Sequence, residues 1–272
     1  MKKLIILGLL SFTATSLFAQ HKLEKIWETD TKLLTPESAK LDAKAKIIYV
    51  SNIGELNTAN TGFISKVGLD GKVINARWVT GLNSTKGLGQ YKNLLYAAEL
   101  TQVAVIDINK GAIIQRIPVE GAGMLNDITV DDHGIVYVSD TKTGKVHRIE
   151  HGKPSVYLEN MQGANGLLAV KNDLYVLANN ALQKVDANKK ITVLVKDLEA
   201  GPDGIEMVKP GEFVLTSWGG MVYYAKADGS KQVMMDVRDQ KKHTADIGFD
   251  PATNTVYMPT FAKTLIAYKL TD

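Results

Sequence analysis

The sequence contains no cysteine among its 272 residues. That excludes disulfides, thiolate metal sites and a lipid-anchored N-terminal cysteine. It has no Gly-x-Ser-x-Gly elbow, no glycine-rich phosphate loop and no His/Cys spacing of the zinc type, which leaves an α/β-hydrolase triad and nucleotide chemistry without support. The formal charge is only +3, and lysines and arginines are scattered rather than blocked, so nucleic acid is not an expected partner. Only one apolar run stands out. Lys2 and Lys3 precede the stretch Leu4 to Phe18, and Ala19 offers a cleavage position. This is the layout of a secretory signal peptide over residues 1–19. The run falls short of the ~20 apolar residues of a spanning helix and is diluted by Ser11, Thr13, Thr15 and Ser16. The expectation is an exported chain, periplasmic or secreted, with no transmembrane anchor after cleavage and a single domain over residues 20–272.

What the sequence does contain is a repeat. Glu37-Ser-Ala-Lys-Leu-Asp42 leads to Ile47-Ile-Tyr-Val50, and Asn126-Asp-Ile-Thr-Val-Asp131 leads to Ile135-Val-Tyr-Val138. Asn165, Asp203 and Ala245 open similar segments, and Lys86 opens a weaker copy. The opening residues are spaced 49, 40, 39, 38 and 42 apart. A period near 40, with two further strand-like runs per copy and Asp-Gly turns between them, is the mark of propeller blades. The fold class expected is therefore all-β: a six-bladed propeller with four strands per blade. The sixth copy ends one strand short. The strand-like segment Leu23 to Thr29 supplies the missing edge and closes the ring.

The first strand of each blade lines the central channel, so its opening residue lies at one mouth. Glu37, Lys86, Asn126, Asn165, Asp203 and Ala245 should meet there. Four of these six carry side-chain oxygens, which suits a hard divalent cation. Read one at a time, Asn, Asp and Gly ahead of a strand are ordinary turn residues. Glu37 has no such preference, yet it shares their register. Lys86 is the discordant member: it could bind a substrate anion or pair with Glu99. The ends of the second strands, near Asn52, Glu99, Asp140, Asn179, Trp218 and Thr260, would support the ring from behind. His243, just before the sixth opening position, is a candidate acid, base or ligand.

Pro36-Glu37, Leu125-Asn126-Asp127 with Asp131 and Gly134, Ala164-Asn165-Gly166 and Gly201-Pro202-Asp203-Gly204 together resemble the SMP-30/gluconolactonase/LRE-like family of six-bladed propellers. The resemblance spans essentially the whole chain after the signal. It implies one divalent metal, Ca²⁺ first and Mg²⁺, Mn²⁺ or Zn²⁺ as alternatives, held by Glu37, Asn165 and Asp203. It implies that Asn126 binds water or substrate and that Asp203 is the catalytic base. The implied reaction is hydrolysis of a small-molecule lactone or related ester. Some sugar lactonases of the family carry an arginine shortly before the third-blade asparagine, where this chain has Met124. Met124, Leu125 and Trp218 point to a less polar pocket than a polyhydroxylated sugar needs. The alternative function is a non-catalytic, metal-stabilised propeller that binds a small ligand or protein partner.

Overall fold

The computed structural model describes residues 20–56 and 58–272. The signal peptide expected over residues 1–19 lies outside them. Six four-stranded antiparallel sheets follow one another around a channel. Blade 1 runs from Pro36 to Leu82, blade 2 from Leu88 to Pro118 and blade 3 from Leu125 to Leu158. Blade 4 covers Leu167–Val195 and blade 5 Pro202–Asp236. Blade 6 is built from Gly248–Asp250, Thr255–Pro259 and Leu265–Thr271, completed by the N-terminal strand Lys22–Glu28. Among the described residues no helix is long and apolar enough to cross a membrane.

The burial of each strand follows its place in a blade. Second strands such as Ile47–Asn52 and Leu94–Glu99 are almost wholly buried, and they are nearly continuous apolar runs. Outermost strands such as Ala112–Pro118 are largely exposed. The core is divided among the blade interfaces. Tyr49, Ile64 and Leu82 of blade 1 pack on Leu88, Leu95 and Ile106 of blade 2. Equivalent clusters join blades 2 and 3, 3 and 4, 4 and 5, 5 and 6, and 6 and 1. No blade buries its faces alone, so each depends on its neighbours for roughly 1.5–3 kcal/mol per large apolar side chain.

Ring closure occurs where the repeat predicts it. Lys22 pairs with Thr271 and Glu28 with Ile266. Trp27 reaches past its own blade: its indole N–H donates to Leu69 O at 2.9 Å, and its ring lies over Tyr257. A Cβ on Gly71 would come within 2.8 Å of the Trp27 ring, so glycine at that Asp-Gly turn makes room for the latch. At the extreme end, the His21 ring stacks on Tyr224 of blade 5 at 3.5 Å.

Candidate functional site at the channel mouth

A bulge opens the inner strands. In blades 1, 3 and 5 the register slips between Pro36 and Ala39, Leu125 and Ile128, and Pro202 and Ile205. Blades 2 and 4 reach the same arrangement by another bond pattern: Lys86 N–H donates to Ala98 O while Ala98 N–H donates to Gly87 O, and Asn165 and Gly166 share Leu177 in the same way. A bulge redirects a side chain out of the pleat, and here it turns Glu37, Lys86, Asn126, Asn165 and Asp203 into one cavity. Hydroxyls of the second strand satisfy the freed amides: Ser51 accepts from Ser38 N–H, Ser139 from Asp127 N–H and Thr216 from Gly204 N–H. The inner strands are also stitched to one another. Gly87 N–H donates to Asn126 O at 2.9 Å and Asp246 N–H to Glu37 O at 3.0 Å. Gly166 permits a close approach, since a Cβ there would lie 2.3 Å from Asp203 O.

The cavity has a volume of about 460 Å³. Its floor is polar. Lys86 Nζ donates to Glu37 Oε1 at 3.5 Å, and Asn165 Nδ2 donates to Asp203 Oδ1 at 2.7 Å. Asn126 Nδ2 donates to Thr141 Oγ1, which in turn donates to Ala164 O. With these bonds made, Glu37 Oε2, Asn126 Oδ1 and Asn165 Oδ1 remain buried without a hydrogen-bond partner. Glu37 and Asp203 are both 3% exposed. Burial raises the Glu37 pKa against the pull of Lys86. Burial, then repulsion from Glu37, raises Asp203 well above the ordinary carboxylate range. Among the described residues no three acidic, histidine or cysteine side chains form a metal cluster. The oxygens on offer are two carboxylates and two amides.

The cavity wall is mostly apolar: Met124, Ala178, Pro202, Trp218 and Phe261 line it, with Gln162 and Asn180 as polar exceptions. Met124 sits as expected, its backbone N–H held by Asp140 Oδ1 at 2.9 Å. Leu125 does not contribute, because it is fully buried in the core between blades 2 and 3. His243 is absent from the lining; its Nδ1 lies 2.8 Å from Trp218 O and its ring stacks on Trp218 at 4.1 Å. Phe261, Gln162 and Asn180 were not anticipated. They come from loops, where no period places a side chain.

The second-strand ends serve the loops rather than the cavity. Asn52 Oδ1 accepts Leu34 N–H, Glu99 Oε1 accepts Asn83 N–H, and Asp140 accepts Gly123 and Met124 N–H. Each carboxylate or amide thereby holds the loop that enters its own first strand. Glu99 is engaged by Arg116 at 3.4 Å, so Lys86 turns to Glu37 instead. Trp218 is the exception and faces the cavity. Deeper in the channel, Asp127 and Asp246 follow the ring residues. Asp127 accepts from its neighbours Ile128 and Leu167 N–H, each at 2.6 Å, and burial pushes its pKa up to about 8. Asp246 accepts from Ser38 Oγ at 2.5 Å and is likewise raised by burial.

No protein-family model matches the chain, and no curated protein matches it by sequence. Solved structures do match. A streptogramin B lyase aligns with a TM-score of 0.69 at 13% identity, over 92% of this chain and 98% of that one. Virginiamycin B lyase from Staphylococcus aureus aligns at 0.66 and 16%, over 93% and 100%. A gluconolactonase from Xanthomonas campestris aligns at 0.67 and 15%, over 89% and 88%, and a putative gluconolactonase at 0.68 and 15%, over 93% of each chain. What the chain shares with these neighbours, gluconolactonases among them, is its propeller fold over nearly its whole described length.

Proposed function

We propose that this protein is a divalent-metal-dependent hydrolase that opens a lactone or related ester at the channel mouth. The observation that carries this reading is the convergence of Glu37 Oε2, Asn126 Oδ1 and Asn165 Oδ1, all buried and unpartnered, beside the Asp203 carboxyl in one cavity. Each bare buried acceptor costs about 1–3 kcal/mol, and a hard cation would satisfy several at once. The donor set is all oxygen, which fits Ca²⁺ first and Mg²⁺ or Mn²⁺ next, with Zn²⁺ the poorest match. Glu37, Asn165 and Asp203 would hold the ion. Bound there, it would polarise a carbonyl and lower the pKa of a water.

The chain's own groups divide the remaining work. Asp203 is the base: burial and the Glu37 charge raise its proton affinity, which suits it to take a proton from the attacking water. Asn165 Nδ2 fixes one Asp203 oxygen and so orients the carboxyl. Asn126, tethered through its Nδ2 to Thr141, presents Oδ1 to a water or a substrate hydroxyl. Lys86 offsets the Glu37 charge and can approach a developing oxyanion. The gluconolactonase neighbours support the reading, because the same fold carries lactone chemistry in them. In this proposal the N-terminal segment exports the enzyme, so the reaction runs in a periplasm or outside the cell.

A second reading is favoured by the Lys86–Glu37 pair itself. An ammonium already sits against one ring carboxylate, as a ligand-binding propeller without chemistry would allow. One experiment separates the two. The protein starting at residue 20 is assayed on a panel of lactones and aryl esters with Ca²⁺, Mg²⁺, Mn²⁺ and Zn²⁺ in turn, beside Asp203→Ala. Turnover with one ion, stopped by chelator and reduced by about 10²-fold or more in the variant, is expected of the enzyme. Metal binding with no turnover anywhere on the panel would sink the hydrolase and leave the binding propeller.

A further inference from the structure

Trp218 is 46% exposed, and yet its ring is not loose. It stacks on His243 at 4.1 Å with 26° between the planes, and Phe261 stands edge-on to both rings at 5.8 and 5.7 Å. The backbone beneath is equally fixed. Trp218 N–H donates to Gly201 O at 2.8 Å, next to Pro202 and Asp203. The turn that follows uses Gly219, where a Cβ would meet Ala200 at 2.6 Å, and Gly220, with φ of +100°. A large indole surface is therefore held open to solvent at the edge of the cavity beside Asp203. Exposed aromatic area with a locked orientation is a feature of binding platforms.

The remaining lining limits what can lie on that platform. Most side-chain donors on the floor already serve a neighbour: Asn165 Nδ2 donates to Asp203, Asn126 Nδ2 to Thr141 and the Thr141 hydroxyl to Ala164 O, while Lys86 is drawn toward Glu37. A sugar ring carries several hydroxyls that need partners on every side, and the wall meets them mostly with Met124, Pro202, Trp218 and Phe261, Gln162 and Asn180 being its polar members. Burying unpaired hydroxyls against such a wall is costly. A flat aromatic body loses nothing there. The polar reacting group can sit on the floor while the ring stacks on Trp218 and touches the thioether of Met124.

We propose that the cavity selects lactones or esters carrying an aromatic ring, with Trp218 as the specificity-determining stacking partner. This rests on the hydrolase reading for the word substrate, but the choice of ligand class can be tested without turnover. Two readouts are used on the protein and on Trp218→Ala and Trp218→Phe. The first compares kcat/KM for a benzo-fused δ-lactone and for glucono-δ-lactone. The second measures binding of the corresponding benzo-fused lactam, which is not hydrolysed, by isothermal titration calorimetry.

The aromatic lactone should be preferred by at least about tenfold. Trp218→Ala should raise its KM by about three- to tenfold, the range of one aromatic pair, while Trp218→Phe retains most of the preference. Saturable lactam binding that Trp218→Ala weakens about three- to tenfold, with no hydrolysis of either lactone, upholds the ligand class and defeats the hydrolase. Preference for glucono-δ-lactone, or lactam binding that survives Trp218→Ala unchanged, overturns the inference.

Discussion

Two buried carboxyls with raised proton affinity set up a measurable link between pH, metal and stability. Glu37 and Asp203 have ordinary values of 4.5 and 3.8, and both are shifted upward in the folded chain. Between those ordinary values and the raised ones, the native state holds protons that the unfolded chain has released. Stability without metal is then full below about pH 4 and falls as the pH rises. A bound dication favours the ionised carboxyls, lowers their folded pKa values and removes this loss. The gain from metal should therefore grow with pH. At a free ion concentration 100 times Kd the gain is about 2.7 kcal/mol. For a domain of this size each kcal/mol moves Tm by about 2–4 °C, so a rise of about 5–11 °C is expected at pH 8 and little at pH 5. Thermal melts with and without Ca²⁺ across that range read it directly. Asp203→Asn should raise Tm without metal at pH 8, because it deletes a repelled buried charge, and should abolish most of the increment with metal. An increment independent of pH, or one that Asp203→Asn leaves intact, would refute the placement of the ion on these carboxyls.

Two other perturbations address the scaffold. Gly166→Ala puts a methyl 2.3 Å from Asp203 O and 2.9 Å from Leu177; the backbone must yield, at a cost of about 1–3 kcal/mol in denaturant melts, and metal affinity should fall with it, whereas Gly163→Ala nearby has nothing within 4 Å but sits at a φ of +65° and should cost stability alone. Deleting residues 20–28 strips the partner from Leu265–Thr271 and exposes a sheet edge, so the shortened chain should self-associate in size-exclusion chromatography; a monomeric, equally stable truncation would contradict the closure.

The blades were legible because a propeller writes one unit many times. Glu37, Asn126, Asn165 and Asp203 could be aligned by register, and they do share a cavity. Register says less where the identity of a partner decides the outcome. Glu99 and Asp140 occupy matching positions and were expected to support the ring from behind; each does so by holding the amides of its entering loop, which register alone does not specify. His243, a candidate acid, base or ligand, packs on Trp218, a contact that no repeat encodes. Phe261 reaches the wall from a loop outside any strand, where neither period nor turn signal predicts direction. Bulges were not legible either: one extra residue shifts the alternation by a single place, and these inner strands are too short for that shift to stand out.

The latch formed by Lys22–Glu28 and Leu265–Thr271 gives the molecule a temporal order as well as a shape. The first strand of the ring to be synthesised finds its partner only when the last one exists. Thr264 and Glu28, bonded at 2.7 Å, are 236 residues apart, and such distant pairing is slow. Until then blade 6 has a bare edge and the clusters on either side of it are unsealed. A chain rejoined at its own ends and reopened between two other blades would carry the same mouth, with the final click moved to a different seam.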